Sequence, residues 1–332
     1  MYQQNASSDR AAPSPADVYA RIFGFDHLTS FDIGIVLLLE LTCDRVTSNF
    51  CDVLSQFVPE FRMDLSEKRL ELEQVLRDLS KVVIAFSGGV DSTFLLKTAA
   101  DVLGTENVLA VTARSATYPT SELEEARRIA RSFGVPHDEI DSDELQIEQF
   151  AQNPPNRCYY CKKELFSKLL DVAHQKGYHA VADGTNADDA HDHRPGRKAA
   201  AELGIRSPLL EAGLTKDDIR ALSREIGLTT WDKGSFACLA SRFPYGNSIT
   251  EEKLRQVAQA EDVLRDAGFR QFRVRHHGPV ARIEVAPEEM ARFHDERFAA
   301  QIVRAVKKAG YAYVTLDLEG YRTGSMNETY QR

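Results

Sequence analysis

The sequence predicts an α/β protein built on a doubly wound parallel sheet, followed by a smaller C-terminal α+β domain. Three observations carry that expectation. Short β-branched apolar runs alternate with helical patterns up to Ile226, the first such run stops at the glycine pair Gly88-Gly89, and the chain beyond residue 228 changes to a helix, hairpin, helix and strand pattern. Strands buried on both faces of a parallel sheet read as unbroken aliphatic runs, and ligands of such sheets sit at the carboxyl ends of the strands. The expected divisions are an N-terminal extension over 1–60, the sheet domain over 61–228 and the smaller domain over 229–332.

Met1 to Ala16 is rich in Ser, Ala, Pro and Gln, a composition that predicts disorder. Val18 to Val58 holds apolar residues such as Ile22, Phe23, Ile35 and Leu37 without a helical or strand period, and no role follows from it. From Arg62 to Ser80 a helical pattern places Leu65, Leu70, Leu72, Val75, Leu76 and Leu79 on one broad face. Val82 to Phe86 reads as the first strand; after Gly88-Gly89, Asp91 or Ser92 opens a helix through Phe94, Leu95 and Leu96. Val108 to Thr112 is the second strand, and Ser121 with Glu124 spells a capping box for a helix through Ala130 and Phe133. His137 to Ile140 is a third strand, Tyr159 to Ala173 a helix, and Ala180 to Ala182 a strand that stops at Asp183-Gly184-Thr185-Asn186. A helix from Lys216 to Ile226, ended by Gly227, closes the first domain. The remainder predicts a helix (Glu251 to Ala267), a hairpin (Phe272 to Arg275 and Val280 to Val285, turning at His277-Gly278-Pro279), a helix (Pro287 to Lys308) and a strand (Tyr311 to Leu316). So few strands do not stand alone, so this domain is expected to pack on the first or on another subunit.

With 332 residues there is room for two domains, and 43% apolar residues is ordinary for a globular chain. A net charge of -9 disfavours a broadly basic nucleic-acid surface. The longest apolar run, Ile33 to Leu39, is too short to span a bilayer, and no apolar stretch followed by a cleavage site marks a secretory signal, so a cytoplasmic location is expected. Five cysteines, an odd number, then argue for reduced thiols, with Cys43 and Cys51 read as incidental.

The chemistry concentrates in few places. Gly88 and Gly89 let backbone N–H groups approach an anion, which the positive end of the following helix would favour. The loop lacks the Gly-Lys-Ser/Thr ending of a Walker A motif and is not a dinucleotide fingerprint. Instead Ser87-Gly88-Gly89-Val90-Asp91-Ser92 after an apolar strand resembles the PP-loop of ATP pyrophosphatases, which split ATP between its α and β phosphates and adenylate a substrate. Ala113, after Thr112, and Asp183, Gly184 and Thr185 end strands on the same edge, outlining one nucleotide site; for Asp183 and Thr185 plain turn chemistry is the alternative. Cys158 and Cys161, three apart at a helix start, share a face, and alone they read equally as a redox pair, a zinc half-site or cluster ligands. With Cys238 they make a thiol trio that suits a 4Fe-4S cluster better than a four-ligand zinc site, the alternative being one reactive cysteine and two structural ones. His174, His179, His191, His193, His276 and His277 invite a metal reading, but His191-Asp192-His193 lacks helix-face spacing and, beside Asp188, Asp189, Arg194 and Arg197, reads as a solvated charged loop. Arg273 and Arg275 alternate on a strand, either as a phosphate clamp or as a solvated face. Arg242 or Lys162 is expected to lower the pKa of Cys238.

Beyond the PP-loop, the chain resembles one family, LarE, the ATP-dependent sacrificial sulfur transferases of nickel-pincer nucleotide synthesis. The resemblance spans Leu65 to Glu328 and rests on Asp183 to Asp189, Arg194-Pro195-Gly196, Arg206-Ser207-Pro208-Leu209, Cys238-Leu239-Ala240-Ser241-Arg242, Phe272-Arg273-Val274-Arg275 and Glu319 to Asn327. It implies ATP with Mg²⁺, a pyridinium mononucleotide substrate carboxylate that is adenylated with release of pyrophosphate, and a homo-oligomer, a hexamer in the family. It implies substrate or phosphate contacts at Lys163, Arg206, Arg242, Arg273 and Arg275. In the single-cysteine form of the family, the residue matching Cys238 forms a thioester and gives up its sulfur. Cys158 and Cys161 match a three-cysteine form similar to 4Fe-4S-dependent transferases, in which a cluster-bound sulfide is the donor. Residues 1–60 have no counterpart in the resemblance.

The competing readings are a PP-loop tRNA thiolase, an amide synthetase of the NAD or GMP type that uses ammonia, and a nucleotide-binding regulator without turnover. Against the thiolase stand the acidic balance and the want of a basic, aromatic RNA surface, so neither nucleic acid nor membrane is expected as a partner. The amide synthetase would leave Cys158, Cys161 and Cys238 without employment.

Overall fold

The computed structural model of the chain describes residues 64–190, 195–234 and 238–322. The chain divides into two compact units, Met1–Arg62 and Met63–Arg332, and the description concerns the second. The expectations for residues 1–60, Cys43 and Cys51 therefore lie outside the described residues, as do those for His191, Asp192, His193 and Arg194 and for the motif from Thr323 to Asn327.

Helix α1 (Leu65–Leu79) starts at Asp64, whose carboxylate accepts the Glu67 N–H while the Glu67 side chain accepts the Asp64 N–H. Then follow β1 (Val82–Ala85), α2 (Val90–Leu103), β2 (Val108–Arg114), α3 (Thr120–Ser132), β3 (His137–Asp141), the short α4 (Glu148–Ala151), α5 (Arg157–Lys176), β4 (Ala180–Ala182), α6 (Pro195–Glu202), the short α7 (Pro208–Glu211) and α8 (Lys216–Glu225). The four strands are parallel in the order β3-β2-β1-β4, with Ile84 opposite Ala110 on one side and Ala182 on the other. Successive side chains of a strand point to opposite faces. Val82 and Ile84 accordingly join Ala110 and Ala182 in a core with Leu72, Leu95, Leu96 and Ile219, while Val83, Leu109 and Val181 pack under Phe166 and Leu169 of α5. Each fully buried aliphatic side chain contributes about 1.5–3 kcal/mol, so both faces of the sheet must be covered. The chain steps outward from β1 to β3 and then returns past β1 to β4, which opens a crevice beyond the carboxyl ends of β1 and β4.

The smaller domain contains α9 (Glu251–Asp266), β5 (Phe272–His277), β6 (Val280–Val285), α10 (Glu296–Lys308) and β7 (Tyr313–Leu316). Its sheet is mixed: β5 and β6 form an antiparallel hairpin that turns at Gly278 with φ +60°, and β7 runs parallel to β6. A parallel neighbour needs a crossover, which α10 supplies. Leu264, Val274, Ile283, Val285, Ile302 and Val306 give this sheet a core of its own.

Several boundaries differ from expectation. Gly89 caps α2 and Val90 is its first residue, so neither Asp91 nor Ser92 opens the helix. Pro119 stands at the cap of α3 with φ -60°, placing Ser121 inside the first turn, so the expected capping box of Ser121 and Glu124 does not form. The expected single helix from Pro287 to Lys308 is broken at Asp295, whose carboxylate accepts the N–H groups of Arg297 (2.8 Å) and Phe298 (3.1 Å) and starts a new helix. Tyr311 is buried ahead of β7, its hydroxyl 3.1 Å from His276 Nδ1. Among the described residues, no helix is long and apolar enough to cross a membrane.

Candidate active site

The turn after β1 is shaped for an anion. Gly88 has φ +65°, the left-handed region that disfavours other residues, and a Cβ there would lie 3.4 Å from Ala126 Cα. Gly89 offers no side-chain acceptor, so the opening N–H groups of α2 carry no side-chain cap. Ser92 Oγ folds back to accept the Ser87 N–H at 3.3 Å and lies 3.1 Å from Ser87 Oγ. At the end of β4, a Cβ on Gly184 would stand 3.1 Å from Ser92 N and 3.3 Å from Ser92 Cα, so glycine is what lets the two loops close on each other. Asp91 Oδ2 pairs with Lys216 Nζ at 2.6 Å, whereas Asp91 Oδ1 is buried with no hydrogen-bond partner. Uncapped helix donors beside an unpartnered carboxylate oxygen fit a polyphosphate with its Mg²⁺, a metal held through one or two carboxylates and substrate phosphates. Asp183 and Thr185 follow turn chemistry: Asp183 Oδ1 accepts the Thr185 N–H (3.2 Å) and Ser207 Oγ (2.8 Å), and Oδ2 accepts Thr185 Oγ1 (2.8 Å). Ala113 is half-buried on β2 opposite Ile140.

The thiols gather at a second point. Cys158 and Cys161 occupy the first turn of α5, and Cys238 precedes a 3-10 turn over Leu239–Arg242. Cys158 is exposed, whereas Cys161 is half-buried against the apolar cluster that contains Phe150, Leu239 and Phe243. Burial pushes the Cys161 thiol up, helped by the charges of Cys238, Glu144 and Cys158 and opposed by Lys162. The residue Cys238 keeps exposed surface, yet protein atoms crowd its sulfur, and this desolvation pushes the thiol up, opposed by the nearby polar groups of Thr117 and Ala240 and by the charge of Arg157. The cation that favours the Cys238 thiolate is thus Arg157, not Arg242 or Lys162 as expected; Lys162 acts on Cys161. Although the three thiols feel one another, no group of three or more His, Cys, Asp or Glu residues among the described residues is arranged to hold a metal ion. As they stand the thiols do not fit a cluster.

One short segment ties the thiol to the nucleotide loop. Thr117 O accepts the Leu239 N–H at 3.0 Å, the Thr117 hydroxyl donates its one proton to the buried Glu144 at 2.6 Å, and the next residue, Tyr118, donates its hydroxyl to Ser87 O. Lys233 adds a second tie, its Nζ 3.2 Å from Gly88 O, 2.8 Å from Glu122 and 2.7 Å from Glu125. Sequence reasoning missed Thr117, Tyr118, Glu144, Arg157 and Lys233; the one clue was the position of Thr117-Tyr118 just beyond the carboxyl end of β2.

The expected phosphate contacts have protein partners. Arg206 is forked onto Glu211, and Lys163 Nζ donates to Tyr159 Oη at 3.3 Å. Arg242 meets Glu261 at 2.8 and 2.9 Å, and Arg275 meets Glu284 at 3.0 and 2.8 Å. Arg273 donates to Phe272 O at 2.6 Å and lies 5.0 Å from the Tyr321 ring centroid. Burial and the neighbouring Arg242 charge push Arg273 down to about 10, which leaves it cationic at neutral pH. The alternative of a solvated face for Arg273 and Arg275 is overturned, since each is only 5% exposed.

A parallel sheet with an uncapped Gly-Gly loop at its switch point defines a class, the PP-loop α/β enzymes that use ATP, and a family model described as NAD synthase matches residues 66–163. A Lactiplantibacillus plantarum protein named pyridinium-3,5-bisthiocarboxylic acid mononucleotide synthase is 43% identical over 265 residues, 80% of this chain and 95% of that protein. An uncharacterised protein of Synechocystis sp. is 45% identical over 262 residues, 79% of this chain and 97% of its own length. The chain belongs to the family of that synthase, LarE. A tRNA-specific 2-thiouridylase of Caulobacter sp. is 30% identical over 193 residues, covering 46% of this chain and 47% of the thiouridylase.

Proposed function

We propose that the chain is an ATP-dependent sulfur transferase that converts a carboxylate of a pyridinium mononucleotide to a thiocarboxylate, with Cys238 as the sulfur donor. The observation that carries this reading is the tie through Thr117-Tyr118, which joins a thiol to a nucleotide loop in one site. The substrate carboxylate attacks the α phosphorus of ATP and pyrophosphate leaves, giving an acyl-adenylate. The amides at the start of α2 hold the phosphates, and Asp91 would hold the Mg²⁺ that offsets their charge. The Cys238 thiolate then attacks the acyl carbon and AMP leaves, forming a thioester. Loss of the Cys238 Cα proton breaks the Cβ–S bond, releasing the thiocarboxylate and leaving dehydroalanine in the chain. Arg157 supports the thiolate, and Thr117, whose carbonyl accepts the Leu239 N–H, holds the segment that carries it.

The test is reaction with ATP, Mg²⁺ and pyridinium-3,5-biscarboxylic acid mononucleotide. Pyrophosphate release that requires the mononucleotide, with a fall in protein mass of about 34 Da that Cys238→Ala does not show, is the expected result. Release driven instead by bulk tRNA, or by ammonia as acceptor, would replace this reading with a thiolase or an amide synthetase. The outcome that would overturn Cys238 as donor is a 4Fe-4S cluster on Cys158, Cys161 and Cys238, for which the thiols as they stand are not arranged. Iron and sulfide in anaerobically purified protein, lost in Cys158→Ala, together with an unchanged protein mass after turnover, would establish it.

A further inference from the structure

We propose that Glu261 and Glu284 are positioning residues for sulfur transfer: through Arg242 and Arg275 they fix the backbone of the Cys238–Ser241 segment that presents the thiol. This inference rests on the reading of Cys238 as donor. Each guanidinium uses one side for a carboxylate and has a further N–H for the segment. Arg242 is forked onto Glu261 (2.8 and 2.9 Å), and its Nη1 donates to Cys238 O at 3.2 Å and Ser241 Oγ at 2.9 Å. Arg275 is forked onto Glu284 (3.0 and 2.8 Å), and its Nη1 donates to Ser241 O at 3.0 Å. Carbonyls on either side of Leu239-Ala240 are therefore held from beneath by two separate arginines.

The carboxylates are themselves anchored in regular structure. Glu261 lies on α9, and its Oε1 also accepts the Val274 N–H of β5 at 3.0 Å; Glu284 lies on β6 and also accepts from Arg282 at 3.0 Å. Glu261 is 2% exposed and Glu284 0%. Charges buried so completely are a poor means of adding stability, because desolvation offsets most of their attraction, and apolar residues of like size do as well or better. Leu239, Ala240 and Phe243 already anchor the segment in an apolar cluster. What the ion pairs add is direction: a planar fork fixed at both ends specifies where the third donor points, as a lysine ammonium does not. A thiol attacking an acyl carbon needs that direction, since a misplacement of about 1 Å costs about 10²-fold in rate.

The test uses the full chain in reducing buffer, with Glu261→Gln and Glu284→Gln, which keep size and remove charge. Three quantities are read: the single-turnover rate constant for sulfur transfer and the ATP concentration that half-saturates it, the iodoacetamide alkylation rate of Cys238 relative to Cys158 by peptide mass mapping, and the circular dichroism spectrum. The expected result is a single-turnover rate constant lowered by about 10²-fold with half-saturation by ATP unchanged, and a Cys238 to Cys158 alkylation ratio that rises severalfold, because the released segment exposes its thiol. A purely structural role would not make the thiol more reactive while making transfer slower. Folded variants with an unchanged ratio overturn the proposal. Should a glutamine variant fail to fold, Ser241→Ala removes one anchor at a half-buried position and must shift both readouts in the same directions by less. Full turnover by Cys238→Ala would sink the donor reading, and the alkylation ratio, which needs no turnover, would then decide the clamp alone.

Discussion

The nucleotide loop and the small sheet treat polar groups in opposite ways. At the start of α2 the cap is a glycine with nothing to offer the helix N–H groups, and Asp91 Oδ1 is buried without a partner. In the small sheet Glu261 and Glu284 are fully buried and fully engaged, and the arginines on them also hold backbone carbonyls. Buried polar groups are as a rule satisfied, so the exception is what marks a place kept for a ligand. Residue type alone misleads here. Arg275 reads as part of a phosphate clamp in the sequence, and Arg242 as a phosphate contact by family resemblance, yet each already has a carboxylate; Gly89 has no side chain to offer, and leaves donors open.

The sharpest way to break this contrast is to remove the group that both regions serve. Cys238→Ala is expected to lower thiocarboxylate formation by about 10⁴-fold or more while leaving ATP binding intact, checked by product assay beside nucleotide titration. Next in size is Glu284→Ala, which strands Arg275 in the interior and should lower unfolding free energy by about 3–5 kcal/mol in urea titrations. Replacing Arg275 and Glu284 together by Met and Leu should restore most of that stability but not the transfer rate, which separates orientation from stability. On the nucleotide side, Gly184→Ala forces a methyl to 3.1 Å from Ser92 N, so the loops must part; a stability loss of about 1–3 kcal/mol and weaker ATP binding are expected. Equal loss of stability without loss of affinity would show that the close approach serves packing alone.

The smallest expected effect is a pH dependence. Burial, with Lys253 and His277, holds the His276 pKa below its ordinary value, and burial lowers His137 likewise. The unfolded chain then takes up protons first as pH falls below about 6.5, so stability is complete above that value and declines toward the lower folded pKa. Thermal midpoints measured from about pH 7 to about pH 5 should fall less steeply in His276→Gln than in the wild type. An identical slope would show that other groups govern the decline.

The parallel strands were legible because burial on both faces demands continuous aliphatic runs, and Val82 to Ile84 is such a run. Gly88-Gly89 was legible because a positive φ and a bare helix start need glycine whatever surrounds them. The break at Asp295 was not, because the apolar period runs on across it and a cap forms only when the carboxylate turns back on the chain. The cation beside Cys238 was misjudged for a related reason: Arg242 is near in sequence, but Glu261, the Cys238 carbonyl and the Ser241 hydroxyl engage its guanidinium, and Arg157 arrives from a helix. The ties from Thr117, Tyr118 and Lys233 join residues far apart in the chain, and such pairings leave no period or motif. By itself the sequence determined the strands, the glycine loop and the supply of thiols, since local backbone and burial rules suffice for these. Tertiary structure decided which charges are satisfied and where the thiol is held, because partners in an ion pair or a hydrogen bond are set by distance in space, which only the packed chain defines.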